Sequence, residues 1–233
     1  MASKLSVLQL LKEHADPRGI SHWETRPRSL KSYGIGLTQL RKLAKQVGRD
    51  HQLAASLWDS DLYDAKVISI LIDDPKCMTA EQAERQVDDG MDECHLVHVF
   101  TSCNAPLAKT PFAFYLASTW VDHSDAIRRR CGYSLLYELS KKNPKGMDDA
   151  FLRDRISIIQ SSIHGEDMWV RESMLTALLG IGKRNQMLNA ACIAAAKKIG
   201  AVDIDYGDDN SCQPLDLLKH LTAPALQQKL NSQ

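Results

Sequence analysis

The chain of 233 residues carries 29 lysines and arginines against 29 aspartates and glutamates, and 44% of it is hydrophobic. That balance excludes a partner held by bulk charge, so a polyanion would have to be met by cations segregated on one face. Apolar residues run from end to end without a linker, which predicts one domain over residues 1–233 with a sizeable core.

The opening stretch MASKLSVLQLLKEHADPRG interleaves charge with apolar residues. It predicts a soluble amphipathic helix ending before Pro17, not a signal peptide or a membrane span. Leu37, Leu40, Ala44 and Val47 recur at spacings of three and four, with Arg41, Lys42, Lys45 and Gln46 on the other side. This is the pattern of a surface helix packed along one stripe.

Three stretches then look like copies of one unit: LWDSDLYDAKVISILIDDP from Leu57, TWVDHSDAIRRRCGYSLLYELSKKNP from Thr119, and DMWVRESMLTALLGIGKRN from Asp167. Each joins a tryptophan to a short polar segment and an amphipathic helix. Helical stripes run through Ile127, Cys131, Leu135 and Leu139, through Val170, Met174, Leu178 and Ile181, and through Leu188, Cys192, Ala195 and Ile199. Pro75 and Pro144 close two of the runs, since a residue lacking an amide hydrogen ends a helix. Only AVDIDYG from Ala201 alternates like a strand.

Arg129 and Arg171 lie 42 residues apart, inside the roughly 40 to 47 residues of HEAT or armadillo units. The first copy lies further off, with room for an extra helix between Glu81 and Cys103. The fold expected is all-α, a solenoid of stacked HEAT-like helix pairs in which each pair completes the burial of its neighbour.

Near the start of the second copy's helix stand Arg128, Arg129 and Arg130, which point three ways because each residue advances the azimuth by ~100°. They are matched either to phosphate oxygens or to ion pairs with Asp122 or Asp125. Lys141, Lys142, Lys145, Lys183, Arg184, Lys197 and Lys198 fall at or near helix C-termini, where the macrodipole favours them. Trp58 and Trp120 fit inter-helix packing, whereas Trp169, between Asp167 and Arg171, fits a helix start near the surface.

The segment DDGMDECHLVHVFTSC is densest in reactive groups. Asp92 and His95 share a helical face and form a candidate acid–base pair. Cys94, His98 and Cys103 could meet a metal, but they lack the tight paired spacing of structural zinc sites, and no metal is expected. The six cysteines form no CxxC pair and read as reduced thiols of a cytoplasmic protein. No phosphate-binding loop, dinucleotide fingerprint or nucleophile elbow occurs.

In order along the chain, YGIGLTQLRKLAKQ, LAASLWDSDLYDAKVISILIDDP, TWVDHSDAIRRRCGYSLLYEL and AAKKIGAVDIDYGDDNSC resemble the AlkD-type DNA alkylation repair family of HEAT-like repeat DNA glycosylases. The resemblance runs from about Tyr33 to Cys212. It implies a right-handed superhelical stack whose concave face grips duplex DNA, and hydrolysis of the glycosidic bond of N3- or N7-alkylated purines without metal or cofactor. In that chemistry a carboxylate stabilises the sugar cation.

Where active members carry Trp-Asp-x-x-Asp, this chain has Met91-Asp92-Glu93-Cys94-His95, so the catalytic aspartate falls on His95. Asp92, one turn away, is the alternative carboxylate. The family's arginine maps to Arg130, or to Arg129 with a shift of one residue. Its second aromatic maps near Thr176, with Trp169 the replacement from upstream.

The reading expected is thus a monomeric protein that recognises damaged or distorted duplex DNA through Arg129, Arg130, Trp169 and Lys183, with glycosylase activity weakened or lost. Two other readings stay open. One is a helical scaffold for a protein partner, favoured by the zero net charge; the other is a redirected hydrolase using His95 as base.

Overall fold

The computed structural model describes residues 2–91, 95–102, 105–142, 144–206 and 212–232. Among them the only pairing of β type is an isolated parallel bridge between Lys31 and Leu62; the rest of the regular structure is helical, as the periodicities predict. The chain forms two compact units, Met1–Thr110 and Pro111–Gln233. No helix among the described residues is long and apolar enough to cross a membrane.

In the first unit α1 (Lys4–Glu13) is opened by a capping box in which Ser3 and Ser6 each accept the other's backbone N–H. It ends ahead of Pro17, which begins α2 (Pro17–Trp23). The predicted stripe is α3 (Leu37–Val47), with Leu40, Leu43 and Ala44 buried. Then come α4 (His51–Trp58), α5 (Tyr63–Ile72), α6 (Ala80–Asp88) and α7 (Leu96–Thr101), of which α6 and α7 fill the gap foreseen after the first copy. Helix α5 is buried almost all round and is packed by α1, α3, α4 and α7.

The buried Asp64 of α5 explains the YGIG motif. Its carboxylate accepts from Ser32 Oγ at 2.9 Å, Tyr33 N–H at 2.7 Å and Ile35 N–H at 3.3 Å. Burial pushes this carboxyl above its ordinary value, against the pull of those donors. Gly34 has φ +70°, and a Cβ there would stand 2.2 Å from the amide nitrogen of Ile20, so the turn accepts only glycine against α2.

The second unit holds α8 (Ala113–Trp120), α9 (Ala126–Ser140), α10 (Asp149–Ser162), α11 (Met168–Gly182), α12 (Gln186–Ile199), α13 (Leu217–Leu221) and α14 (Pro224–Asn231). It is layered: α9, α11 and α13 pack in sequence, while α10 packs on α12. Helices α9 and α11 are both 15 residues long, and their first residues stand at the predicted 42-residue offset. They run parallel, with Arg130 meeting Trp169 near their starts and Gly180 meeting Tyr137 near their ends.

Glycine lets the backbones close. A Cβ on Gly132 of α9 would fall 2.7 Å from the amide nitrogen of Val121, just after α8. The apolar stripes of α9, α11 and α12 are buried as predicted except Ile127, which is half-buried at the start of α9. Lys141 and Lys183 are the C-caps of α9 and α11, and Lys197 and Lys198 lie in the last turn of α12.

The segment 201–206 is not a strand: it has no ladder partner, and its alternation arises because Val202 and Ile204 are buried while Asp203 and Asp205 face solvent. Cys77, Cys131, Cys192 and Cys212 form no disulfide, and burial pushes the Cys192 thiol up to about 12. Cys94 and Cys103 lie outside the described residues.

Candidate nucleic-acid interface

The start of α9 is fixed by Asp125, which caps it by accepting from Ile127 N–H at 3.1 Å. Partial burial pushes this carboxyl up, but the Ile127 amide and Arg128 hold it below its ordinary value. From that start the three arginines diverge, each to a different neighbour. Arg128 pairs with Asp125 at 3.1 Å.

Arg129 reaches 37 residues along the chain to Glu166, with Nε 3.1 Å from both carboxylate oxygens and Nη2 2.7 Å from Oε2. Its Nη1 donates to the carbonyls of His123 at 2.9 Å and Ser124 at 2.6 Å. Glu166, and not Asp122, is thus the acid that Arg129 meets; Asp122 is held by the buried Arg155 at 2.5 Å.

A cation recurs at the fourth residue of three helices. Lys66 of α5 donates to Trp58 O at 2.7 Å, Arg129 of α9 to His123 O at 2.9 Å, and Arg171 of α11 to Glu166 O at 2.7 Å. In each case it ties its helix to the segment just before it, the end of α4 for Lys66 and a turn for the two arginines. The repeat unit therefore has a built-in use for Arg129.

Arg130 faces elsewhere. Its guanidinium carbon lies 5.0 Å from the ring centroid of Trp169, within cation–π range. Trp169 in turn meets Tyr206 edge to face, with centroids 5.9 Å apart and an interplanar angle of 62°. Tyr206 Oη donates to Glu172 at 3.0 Å. Burial and the Glu172 carboxylate push the phenol above its ordinary value, so it stays protonated as the donor. The result is a tier of arginine, indole and phenol whose middle member is 39% exposed.

Trp169 differs from the other two tryptophans of the apparent repeat. Trp58 and Trp120 end α4 and α8 and are 5% and 0% exposed, so packing is their role. The residue 42 places after Trp120 is Ser162, at the end of α10; Trp169 instead occupies the second position of α11. It corresponds to Ile127 of α9 and is not a third copy of the packing tryptophan.

The remaining candidates are not members of this tier. Lys183 caps the far end of α11, about 21 Å along the helix axis from Trp169 at ~1.5 Å per residue. Thr176 bonds its own helix at Glu172 O, 2.9 Å away. In the first unit Met91 is fully buried, and His95 is an exposed residue at the N-cap of α7. Asp92 lies outside the described residues, as does any pairing of it with His95. Among the described residues no group of three histidine, cysteine or acidic side chains could hold a metal ion.

Sequence reasoning missed Tyr206, hidden in a strandlike pattern, and Arg155, whose partner Asp122 lies 33 residues away in the chain. The aromatic at the end of AVDIDYG, following two buried aliphatics, was the available hint for Tyr206.

The sequence model for the DNA alkylation repair enzyme family matches residues 7–201. Two uncharacterized proteins, from Listeria innocua and Listeria monocytogenes, are 24% and 23% identical over 197 residues, covering 84% of this chain and 84% of each relative. A solved structure superposes with a TM-score of 0.80 at 19% identity, covering 99% of this chain and 95% of the other. It is described as a new family of proteins related to the HEAT-like repeat DNA glycosylases, with affinity for branched DNA structures. The fold is therefore that of HEAT-like repeats.

Proposed function

The chain belongs to the DNA alkylation repair enzyme family, and from that premise we propose that it binds DNA at distorted or branched sites through Arg130 and Trp169, with little or no glycosylase activity. The observation that carries this reading is the Arg130–Trp169–Tyr206 tier, in which a guanidinium is held on an exposed indole. Arginine offers a fork of donors to a phosphate, and an indole offers a face on which an unstacked base can lie. The affinity for branched DNA of the protein with the same fold supports the choice of ligand. Of the two arginines open to the family's role, Arg130 fits better, since Arg129 is taken up by Glu166 and two carbonyls.

Glycosylase chemistry would need an anion beside the developing sugar cation. Position 95 supplies imidazole, which is neutral or positive, and its backbone caps α7. Replacing His95 with aspartate is expected to raise release of N3- or N7-methylpurine above that of the wild type, while His95→Ala leaves DNA affinity unchanged. Fast release by the unaltered protein would overturn the non-catalytic half of the reading.

Binding is tested by gel shift with four-way and forked DNA beside a linear duplex, over a salt series. Arg130→Ala is expected to weaken binding about tenfold and to lower the salt slope by about one. Equal affinity of the two proteins would overturn the assignment. Asp167 and Glu172 flank the tier and favour the second reading, a protein partner; salt-insensitive binding, or none, would support it.

A further inference from the structure

In the first unit a groove of about 700 Å³ opens between the α1–α2 hairpin and the turn at Ser60–Leu62. Its volume is in the range of small-ligand sites, roughly 300–1,000 Å³. Leu8, Ile20 and Leu62 supply apolar lining, and Arg26, Arg28 and Lys31 bring three cations within six residues. Two carboxylates also line it: Asp61, paired with Lys31 at 3.0 Å in an exposed bridge, and Glu24.

Arg28 is pre-positioned. Its guanidinium lies 4.4 Å from the ring centroid of Trp23, whose ring meets Tyr63 at 4.7 Å and whose Nε1–H donates to Leu30 O at 3.0 Å. The indole is thus anchored by a hydrogen bond and a ring contact, and the arginine is spread against it at the groove wall. A planar guanidinium held this way loses little freedom on meeting a phosphate. Exposed ion pairs such as Lys31–Asp61 are weak and exchange readily.

We infer that this groove binds one unpaired nucleotide, with its phosphate at Arg26, Arg28 and Lys31 and its base over the apolar lining. The inference rests on the DNA-binding reading and deepens it: branched DNA exposes unpaired nucleotides at its junctions and arms, whereas a linear duplex does not. The shared chemistry is a nucleoside phosphate, which could come from a DNA strand or from a free nucleotide.

The test measures fluorescence anisotropy of a forked DNA with a single-stranded arm and of a linear duplex. The proteins are the wild type, Arg26→Glu, Arg28→Ala and Arg28→Lys, with thermal melts to confirm folding. Loss of about fivefold or more for the fork in the first two variants, with less than about twofold for the duplex and partial rescue by lysine, supports the groove as the unpaired-nucleotide site. Wild-type affinity for the fork in every variant, or an equal loss on both substrates, overturns it while leaving the binding role of Arg130 standing.

If the wild type binds neither DNA, the proposed function fails. The groove is then read separately by titrating dAMP and following the Trp23 indole N–H by NMR. A saturable shift that Arg28→Ala abolishes would assign the groove to free nucleotides, and no shift would sink the inference.

Discussion

The closed ends of α4 and α8 and the open start of α11 put the same side chain to different uses. Trp120 is wholly buried and Trp58 nearly so, whereas Trp169 is 39% exposed between Arg130 and Tyr206. The two arginines that follow Arg128 repeat the contrast one residue apart. Arg129 is locked to Glu166, and Arg130 lies on an indole at the surface. Helical rotation of ~100° per residue is enough to separate a guanidinium that braces a loop from one that lies on an indole.

The sharpest break in that comparison comes from truncating the tryptophans. Trp120→Ala is expected to cost about 3–5 kcal/mol, as for large aromatic side chains in cores, and to lower the melting temperature by about 10 °C. Trp169→Ala should cost less than about 1 kcal/mol while weakening DNA binding. If calorimetry finds the two equally destabilised, Trp169 is a core residue and the contrast collapses.

A smaller effect is expected where α9 closes on the end of α8. Gly132→Ala drives a methyl against the Val121 backbone, and overpacking of this kind costs about 2 kcal/mol. Gly165→Ala, where nothing lies within 4 Å, is the control. Urea denaturation that ranks both equally would show that α8 and α9 can part without cost.

Arg129→Ala leaves Glu166 partly buried without its guanidinium. A loss of about 2 kcal/mol is expected, below the 3–5 of a fully buried pair because both side chains keep some exposure. Arg130→Ala should stay within about 0.5 kcal/mol of wild type and act on DNA affinity instead. A stability loss from Arg130→Ala as large as that from Arg129→Ala would erase the distinction.

The smallest effect concerns Asp125. Its folded value lies below the ordinary value of an aspartate carboxyl, so its ionised form stabilises the native state. That contribution is complete above about pH 4 and fades as pH falls through the lowered value. Asp125→Asn keeps an N-cap acceptor, so its deficit against wild type should be present at pH 7 and shrink in acid. A deficit that does not change with pH would show that the charge contributes nothing.

The sequence was informative wherever the physics is local. The stripes of α3, α9, α11 and α12, the helix break before Pro17 and the 42-residue offset between α9 and α11 were legible because helical burial repeats every three or four residues. The tryptophan of the third stretch misled, since proximity in sequence to a helix start looked like repetition. Register in space puts Ser162, not Trp169, at the equivalent place. The alternation of AVDIDYG has a different origin from a strand's: alternating burial needs only one covered side, not a ladder.

By itself, then, the amino-acid order determined an all-helical chain of repeated pairs and the positions of their apolar faces, because these follow from backbone geometry and neighbours within a turn or two. Only the tertiary structure decided which arginine braces a loop and which lies on an indole, and that Tyr206 completes the tier. Those outcomes depend on partners about 37 residues away, as for Arg129 and Glu166, and no short-range pattern encodes which of three adjacent guanidinium groups will find them.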